Sequence, residues 1–492
     1  MQKQPAEINY FFKDGYKEFG KTFAATFRRC GSVIADSWEA VCDYFGDLWE
    51  NAINVITFNG AFVSFFKAIG YAFMFGLSLG RLIISAILTP VICFTLSVIQ
   101  AVALFLVMGV FYLLYSVVAF ADWLYRCIKR ISTSCPNCQE KYALPTYVCQ
   151  CGAKHTQLVP SRYGVFKRTC QCGRKLKTTF FNGRHRQPGS WICPKCGYEL
   201  GSPLQVDIPI PVVGGPSSGK TCFVNMAIAQ LEKHSEERYG LEFEYKPNDA
   251  LGDDYEANKR NMQNGQLPLK TDDTRLKYYQ FYLAPKGIKV RNLISLCDVA
   301  GEAYDSNDEI GKQVGYKYAN AFLMIVDPLS VREYREEIAD TVDLSPYKAS
   351  IRDMDEVLNT LIVTLENMNC LNAKTMIKTD VAVVFAKGDI PGLEEKIGAS
   401  AVRRYMQQHN IRSKYEAANG VCEEFLRGYA EDNFLNSLKS KFRSVQFFTS
   451  SALGHVQNGE GFTGEGVEEP VLWLIDKVSP SIDLRSLWGK KN

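Results

Sequence analysis

Residues 206–223 place a stiff apolar segment directly before a glycine-rich loop, and this order constrains the fold more than any other feature. The segment reads VDIPIPVVGGPSSGKTCF, with β-branched residues up to Val213 and a helical pattern after Lys220. Its spacing is GxxxxGK[ST], and a strand before the glycines with a helix after them is the context that a phosphate-binding loop requires. A glycine turn with a solvated lysine is the alternative, and the strand–loop–helix context disfavours it.

Each residue type in this loop suits the binding of nucleotide phosphates. The glycines allow backbone N–H groups to face the phosphate oxygens, and the following helix directs its positive end toward them. Lys220 can reach the β- and γ-phosphates, and the Thr221 hydroxyl can ligate Mg²⁺. The predicted nucleotide-binding residues of this loop are Gly214, Gly215, Ser217, Ser218, Gly219, Lys220, Thr221 and Cys222.

A second phosphate-side motif follows two predicted strands at residues 277–284 and 290–297. The second strand leads into Asp298, and Gly301 comes three residues later. An acid at the end of a buried strand can hold Mg²⁺ through water, and the glycine can present its amide to the γ-phosphate. Strands and helices alternate from residue 204 onward, which predicts an α/β fold with a mostly parallel sheet flanked by helices.

Further predicted strands end in polar residues, which is where ligands bind in such sheets. These strands are 321–326 before Asp327, 381–385 before Ala386, and 445–449 before Ser450. Taken in this order over residues 204–478, the segments resemble the nucleotide-binding set of Ras-like, translation-factor-class GTPases. The resemblance implies a P-loop NTPase fold that binds GTP or GDP with Mg²⁺. It also implies that Thr271, or Thr274 as second choice, is the Mg²⁺-binding threonine of the first switch loop.

The same resemblance assigns the positions that read guanine and shows one departure there. Lys387 and Asp389 match the [NT]KxD motif, in which the carboxylate accepts hydrogen bonds from guanine N1 and N2. Ala386 stands where the family has Asn or Thr, so a side chain that ties this loop to the phosphate loop is lost. The remaining contact is implied to come from a backbone amide meeting guanine O6, in the loop formed by Ser451, Ala452 and Leu453.

Catalysis is expected from Lys220, Thr271 and Glu302. Glu302 follows the DxxG glycine, where Ras-like enzymes often carry a water-orienting glutamine, and an ionised carboxylate there repels the charge of the transition state. No arginine can be assigned as a built-in finger from the sequence, although Arg291 and Arg332 lie within reach along the chain. We therefore expect slow turnover that a partner supplying an arginine would stimulate.

Eight of the 16 cysteines lie in four close pairs, which predicts two tetrahedral zinc sites of four thiolates each. Scattered single cysteines elsewhere indicate a reducing compartment and disfavour disulfides as the alternative. The spacing leaves open whether neighbouring pairs share a metal or the outer pairs close around an inner site. His155 is expected to be a surface or packing residue rather than a ligand. The predicted ligands are Cys135, Cys138, Cys149, Cys151, Cys170, Cys172, Cys193 and Cys196.

The stretch 68–121 contains a single charged residue, Arg81, and is therefore predicted to lie in a membrane. Two spans are favoured, at 61–80 and 91–116, joined by an outer turn at 81–90. Basic residues on both flanks then place both ends in the cytoplasm. Three spans, broken at Arg81 and Gln100, are the alternative.

Residues 1–60 are predicted to form amphipathic helices that lie on an anionic membrane surface or against a partner helix. No cleavable signal peptide is expected, because the first fifty residues contain many charges and no apolar core. The net charge of +3 gives no indication of a nucleic-acid partner.

The predicted domains are an amphipathic region (1–60), transmembrane helices (61–130), a double zinc module (131–202) and a GTPase domain (203–492). The cysteine pairs ahead of PxxT and DVAGE make the chain most similar to the bacterial double-GTPase type, which implies a conflict or defence system. The expected function is a multi-pass, membrane-anchored GTPase with cytoplasmic domains and a protein partner that activates it or responds to it. The zinc module would act as a relay or as a partner platform. The alternatives are an ATPase coupled to membrane remodelling and a scaffold that binds nucleotide without hydrolysis.

Overall fold

The computed structural model describes residues 4–135, 138, 140–200, 205–247, 254–269, 277–288, 290–298, 319, 321–350, 352–368, 377–479 and 481–488. The helices are α1 (Asp14–Ile56), α2 (Ala61–Ile128), α3 (Lys220–Tyr239), α4 (Tyr255–Gln263), α5 (Arg332–Ala339), α6 (Met354–Asn367), α7 (Leu393–Ile397), α8 (Ala399–His409), α9 (Lys414–Gly428), α10 (Asp432–Lys441) and α11 (Glu468–Val478). The strands of the cysteine-rich region are β1 (Thr133–Ser134), β2 (Lys141–Tyr142), β3 (Thr146–Val148), β4 (Lys154–His155), β5 (Lys167–Thr169), β6 (Lys175–Lys177), β7 (Ser190–Ile192) and β8 (Glu199–Leu200). The strands of the large sheet are β9 (Gln205–Val213), β10 (Leu241–Lys246), β11 (Lys277–Pro285), β12 (Arg291–Asp298), β13 (Ala321–Val326), β14 (Ile377–Phe385) and β15 (Phe442–Thr449).

The chain divides into two compact units. The first comprises residues 1–124, 151–153 and 158–187, and the second comprises residues 125–150, 154–157 and 188–492. The large sheet lies in the second unit, and α1 and most of α2 lie in the first.

The large sheet has seven strands in the order β10-β11-β12-β9-β13-β14-β15. The five strands from β12 to β15 pair in parallel, while β10 and β11 add an antiparallel edge. All nine residues of β9 are buried, as expected for a central strand covered by helices on both faces. The predicted α/β fold is confirmed, and the sheet is mixed because its antiparallel edge strands join a parallel core.

One hydrophobic core lies between the parallel strands and the helices after β13. Its members come from β13, β14 and β15 and from the apolar faces of α5 to α10, and Phe385, Leu426 and Phe434 are fully buried in it. The core therefore holds the carboxyl ends of three parallel strands in a fixed position. Ligands of open α/β sheets bind at that edge.

The predicted turn at residues 81–90 is wrong, because α2 continues through it as one helix of 68 residues. Residues 81–89 contain no glycine or asparagine that would leave the helical conformation at low cost. Pro90 lies inside the helix, where its missing N–H removes one backbone hydrogen bond. Neither a two-span hairpin nor a break at Gln100 is present.

Among the described residues, α2 is the one helix that is long and apolar enough to cross a membrane. Its most apolar window has a mean hydropathy of 2.5. At a rise of about 1.5 Å per residue its length is roughly 100 Å, several times the ~30 Å of a bilayer core. Length and composition thus qualify α2 for lipid contact, while its length exceeds that of a simple span.

Helix α1 runs alongside α2 and keeps one polar face in solvent. The Phe45 and Phe75 rings lie 5.6 Å apart, and a Cβ at Gly15 would lie 3.1 Å from the Met108 methyl group. Glu39 and Asp43 lie on the exposed side of α1. The two helices therefore form a hairpin with one charged face and one apolar face.

A buried ion pair connects the segment 158–187 to α2. Arg184 Nη1 lies 3.3 Å from Asp122 Oδ2, and both side chains are 0% exposed. The same nitrogen donates to the carbonyls of Leu158 and Thr178 at 2.8 and 2.6 Å, and the Phe180 amide donates to Asp122 Oδ1 at 3.0 Å. Because the carboxylate and the guanidinium are both removed from water, each depends on the other for its charge balance.

We expect Asp122→Ala to destabilise the segment 158–187 by about 3–5 kcal/mol, because Arg184 would remain buried without its counter-ion. Hydrogen exchange of the full chain should show faster exchange in this segment, including the Phe180 amide. Asp43→Ala, which removes an exposed carboxylate from α1, should leave the exchange unchanged. Equal exchange in the two variants would contradict a stabilising role for the ion pair.

Candidate functional site

The phosphate loop, residues 214–219, joins the end of β9 to the first residue of α3. Ser217 and Gly219 have φ angles of +59° and +93°, so the loop turns back on itself before the helix begins at Lys220. A Cβ at Gly214 would lie 2.5 Å from the carbonyl oxygen of Ile325 on the neighbouring strand β13. Only glycine fits there, and the loop is held tightly against the sheet edge.

The ammonium group of Lys220 lies against the phosphate loop. Its Nζ donates to the carbonyl oxygens of Gly214 and Gly215 at 2.8 and 2.9 Å, and the side chain is buried. A positive charge is therefore held within the turn of the loop, at the N-terminus of α3. Both features favour an anion at this position.

Thr221, in the first turn of α3, meets Asp298 at the end of β12. The Thr221 hydroxyl donates to Asp298 Oδ2 at 2.8 Å, and Asp298 ends β12, where it pairs in register with Val212 of β9. A hydroxyl and a carboxylate are the hard oxygen ligands that Mg²⁺ prefers, so this donor set fits the ion. Burial, and then the nearby Asp298 carboxylate, raise the pKa of the Cys222 thiol to about 12, so that Cys222 stays neutral.

The guanine-reading residues of the predicted site lie together at the next two strand ends. The Ser451 hydroxyl donates to Asp389 Oδ1 at 2.5 Å and accepts from the Gly454 amide at 2.8 Å. The Gly388 amide donates to the Ser450 carbonyl at 2.9 Å. The carboxylate of Asp389 is therefore oriented by the second loop, which also contains Ala452 and Leu453.

Asp327 is a site residue whose role the sequence did not reveal. Its Oδ2 accepts from Lys387 Nζ at 2.6 Å and from the Ser350 amide at 2.7 Å, and its Oδ1 accepts from the Leu329 amide at 3.0 Å. The carboxylate is 0% exposed. It fixes the Lys387 side chain beside the phosphate loop. The sequence does contain a sign that Asp327 could be a site residue, because this acid directly follows a buried strand and precedes a proline.

Ala386 lies against the phosphate loop with only a methyl group. Its Cβ is 3.9 Å from the position of a Cβ on Gly219, and its amide donates to the Val326 carbonyl at 2.9 Å. A backbone hydrogen bond to β13 therefore positions Ala386, whose methyl group cannot form a hydrogen bond to the phosphate loop. The two loops are adjacent despite the departure.

The structure leaves four of the predicted residues undescribed and places two arginines away from this site. Thr271, Thr274, Gly301 and Glu302 lie outside the described residues. Arg291 begins β12, roughly 23 Å along the strand from Asp298, and forms an ion pair with Glu244. Arg332 is exposed and pairs with Glu336 at 2.8 Å. The idea that Arg291 lies near the phosphates is wrong, because the strand direction places it at the opposite end of the sheet.

The eight paired cysteines form two groups of four: the two outer pairs along the chain make one group, and the two inner pairs make the other. Within each group the sulfur atoms lie within 4.8 Å of one another. The Sγ–Sγ separations are 3.5 Å for Cys135–Cys196, 3.6 Å for Cys138–Cys193 and 3.7 Å for Cys151–Cys170. Four sulfurs about 2.3 Å from a central zinc ion would lie roughly 3.8 Å apart, so both groups fit zinc. The groups are Cys135, Cys138, Cys193 and Cys196, and Cys149, Cys151, Cys170 and Cys172.

Tight turns bring these thiols together. The Cys193 amide donates to the Tyr198 carbonyl at 2.8 Å, and the Cys170 amide donates to the Arg174 carbonyl at 2.8 Å. Gly173 follows its cysteine with a φ angle of +83°, which a residue with a Cβ adopts only with strain. His155 is 0% exposed, and its ring centroid lies 6.3 Å from that of Tyr147.

The strand order, the phosphate loop and the two base-reading loops define a P-loop nucleotide-binding domain of the GTPase type. The sequence profile of the Double-GTPase 2 family matches residues 208–451, which contain almost all of these elements. Through this domain the chain belongs to the Double-GTPase 2 family.

Two solved structures are similar at low identity. Sup35 complexed with GDP is 11% identical, with 50% of this chain and 38% of that chain covered and a TM-score of 0.21. Roco2 RocCORdC of Methanosarcina barkeri, bound to GDP, is 11% identical, with 56% and 51% covered and a TM-score of 0.21. The match spans less than two thirds of either protein, and neither likeness contributes to the arguments below. No curated protein matches the chain.

We expect the purified full chain to contain one zinc ion for each cysteine group. Cys172→Ser should lower the zinc content by one ion, because one of four thiolate ligands is lost. Cys127→Ser changes an exposed cysteine that belongs to neither group and should retain both ions. Elemental analysis measures this directly. A folded Cys172→Ser variant that retains both ions would show that this group is not a zinc site.

Proposed function

We propose that the chain is a GTP-hydrolysing switch. The observation that carries this proposal is the Thr221–Asp298 contact beside the buried Lys220 ammonium, because it joins a hydroxyl, a carboxylate and a cation at one helix N-terminus. Mg²⁺, when bound, would neutralise charge on the β- and γ-phosphates. Thr221 and Asp298 would hold the ion, and Lys220 would exchange its two carbonyl partners for phosphate oxygens.

Guanine specificity is proposed to come from Asp389. Its carboxylate would accept from guanine N1 and N2, and adenine has no matching pair of donors. The Ser451 hydroxyl holds one carboxylate oxygen in place, so the acceptor is oriented before the base arrives. Pre-orientation lowers the entropy cost of binding and raises selectivity against adenine. Lys387 belongs to the same loop, and its hydrogen bond to Asp327 connects this loop to the end of β13.

We propose that the α1–α2 hairpin attaches the chain to a bilayer by lying along its surface. The apolar side chains of α2 would enter the acyl region, and the charged face of α1 would stay in the headgroup region. Support comes from the exposed apolar residues along α2, such as Ile87 at 65% and Leu106 at 66% exposure. This arrangement needs no turn within α2.

Thiolate zinc sites suit the reducing cytoplasm, which we propose as the location of the other domains.

The cysteine-rich segment lies between α2 and β9 in the chain, and we propose that it transmits the nucleotide state or binds a partner. A protein that activates hydrolysis or responds to bound GTP is part of this proposal. A bacterial conflict or defence system is the setting that the double-GTPase resemblance suggests.

Asp389→Asn should weaken GTP binding and favour xanthosine triphosphate, because an amide places a donor opposite the N2 amine of guanine. A mispaired buried donor costs about 1–3 kcal/mol, or roughly tenfold or more in affinity. Titration of the full chain with labelled nucleotides measures the change, with ATP as the comparison. Asp432→Asn, at an exposed position on α10, is the matched control. Unchanged GTP affinity in Asp389→Asn would reject the guanine-reading role.

Intrinsic turnover should be on the order of 10⁻³ s⁻¹ or below, as for unassisted Ras-like proteins. The reason is the carboxylate of Glu302 near the γ-phosphate in the predicted site, where it adds negative charge to an anionic transition state. Single-turnover hydrolysis by the full chain measures the rate. Turnover near 1 s⁻¹ that Glu302→Ala abolishes would instead make Glu302 a working catalytic residue. Tight GTP binding with no hydrolysis at all would favour the scaffold alternative.

A further inference from the structure

The segment 158–187 of the first unit is strongly cationic. It contains eight lysines and arginines and neither aspartate nor glutamate. Within the described residues of this unit, the buried Arg184 is neutralised by Asp122, a residue of α2. Lys167 and Lys175 are exposed, and Lys177 is half-buried. The surface of this segment therefore presents positive charge that no acid of the segment itself can balance.

Two lysines of this segment face each other across a hairpin. Lys167 of β5 is the register partner of Lys177 of β6. Side chains of directly opposed residues point to the same face, and like charges in that arrangement repel. An anion lying over the hairpin would remove this repulsion, so the geometry favours an anionic partner.

Two large aromatic side chains lie beside these lysines. Phe166 is 56% exposed and Phe181 is 67% exposed. The Phe166 carbonyl accepts from the Thr178 amide at 3.1 Å and from Asn182 Nδ2 at 3.2 Å, so the two phenylalanines lie on neighbouring stretches of backbone. Phe166 also directly precedes Lys167. Two exposed phenylalanines in so short a segment indicate a surface that is covered in the working protein.

The position of these residues is defined by the buried ion pair. The Phe180 amide donates to Asp122, so Phe181 follows a residue that is bonded to α2. On α2 itself, Phe120 and Trp123 flank Asp122 and are 59% and 49% exposed, with ring centroids 5.6 Å apart. Aromatic residues at one level of an apolar helix are typical of a membrane interface. The exposed phenylalanines are thus near the aromatic end of the apolar helix.

We propose that Phe166, Phe181, Lys167 and Lys177, here termed the phenylalanine–lysine surface, bind a membrane that contains anionic phospholipids. The rings enter the interfacial region, and the lysines contact headgroup phosphates and carboxylates. This inference rests on the proposed attachment of α2 to a bilayer. It adds a second membrane contact, made by the segment 158–187, and this contact prefers anionic lipids. Two membrane signals of this kind anchor a protein much more firmly than one.

A nucleic acid is the other polyanion that such a surface could bind. Single strands use cationic grooves in which bases stack on aromatic rings. The surface described here instead lies beside the exposed apolar side chains of α2, which have no complement in a nucleic acid. Continuity with an apolar helix therefore favours lipid.

The full chain tests this with a photo-crosslinking amino acid, p-benzoylphenylalanine, placed at position 166 or 181. The protein is reconstituted with vesicles of phosphatidylcholine, with or without phosphatidylglycerol, and adducts are identified by mass. We expect lipid adducts at both positions and a yield that rises with phosphatidylglycerol. Lys167→Gln and Lys177→Gln should each lower the anionic-lipid component by about fivefold. Zinc content and GTP affinity should match the parent, since none of the four side chains belongs to a cysteine group or to the proposed nucleotide site.

A matched control places the same crosslinker at Ile288, which is 38% exposed in the loop between β11 and β12, and no lipid adduct is expected there. Vesicle flotation separates the two proposals. A chain that does not float with vesicles contradicts attachment through α2. A chain that floats but forms no lipid adduct at 166 and 181, or forms adducts with added single-stranded RNA instead, overturns the present inference alone.

Discussion

The parallel pairing of β9 with β12 on one side and β13 on the other is the constraint on which the nucleotide site depends. Register places Asp298 beside Val212, and Leu323 also beside Val212, so three strand ends reach one edge together. The phosphate loop must then turn within a narrow gap, which is why Gly214 faces the carbonyl of Ile325 so closely. Lys220 and Thr221 follow at the start of α3, and their positions relative to Asp298 result from this pairing.

Among the buried carboxylates of the described residues, Asp327, Asp298 and Asp122 are each held in a different way. Asp327 accepts from two backbone amides and from Lys387, so its charge is satisfied without water. Asp298 accepts a hydrogen bond from the Thr221 hydroxyl, and these two oxygen atoms are suited to bind the same divalent ion. Asp122 pairs with Arg184 to connect α2 with the cysteine-rich segment. Desolvation offsets much of the attraction within a buried ion pair, but removal of one partner leaves an uncompensated buried charge.

Much of the fold could be predicted from local pattern, and the misses have physical causes. The strands β11 to β15 are apolar runs ended by polar residues. The predicted spans of β11 to β13 match within one residue at each end, whereas β14 and β15 begin at Ile377 and Phe442, before the predicted starts at 381 and 445. Strand β10 (LEFEYK) was not predicted, because its alternating glutamates mark an edge strand whose pairing depends on β11. Within the site, Lys220, Thr221, Asp389 and Ser451 were signalled by motif spacing. Asp327 was not, since its role depends on Lys387, sixty residues further along the chain.

By itself the sequence determined the phosphate loop, the number of thiolate groups, the apolar character of α2 and the alternation that leads to an α/β sheet. These are properties of residue type and short-range spacing. Tertiary structure alone decided that the outer cysteine pairs share one group, that Arg291 lies away from the phosphates and that Lys387 rests on Asp327. It also decided that α2 continues through Pro90 without a turn. In each of these cases the outcome depends on strand direction, register or packing between distant segments, and local spacing carries no information about those.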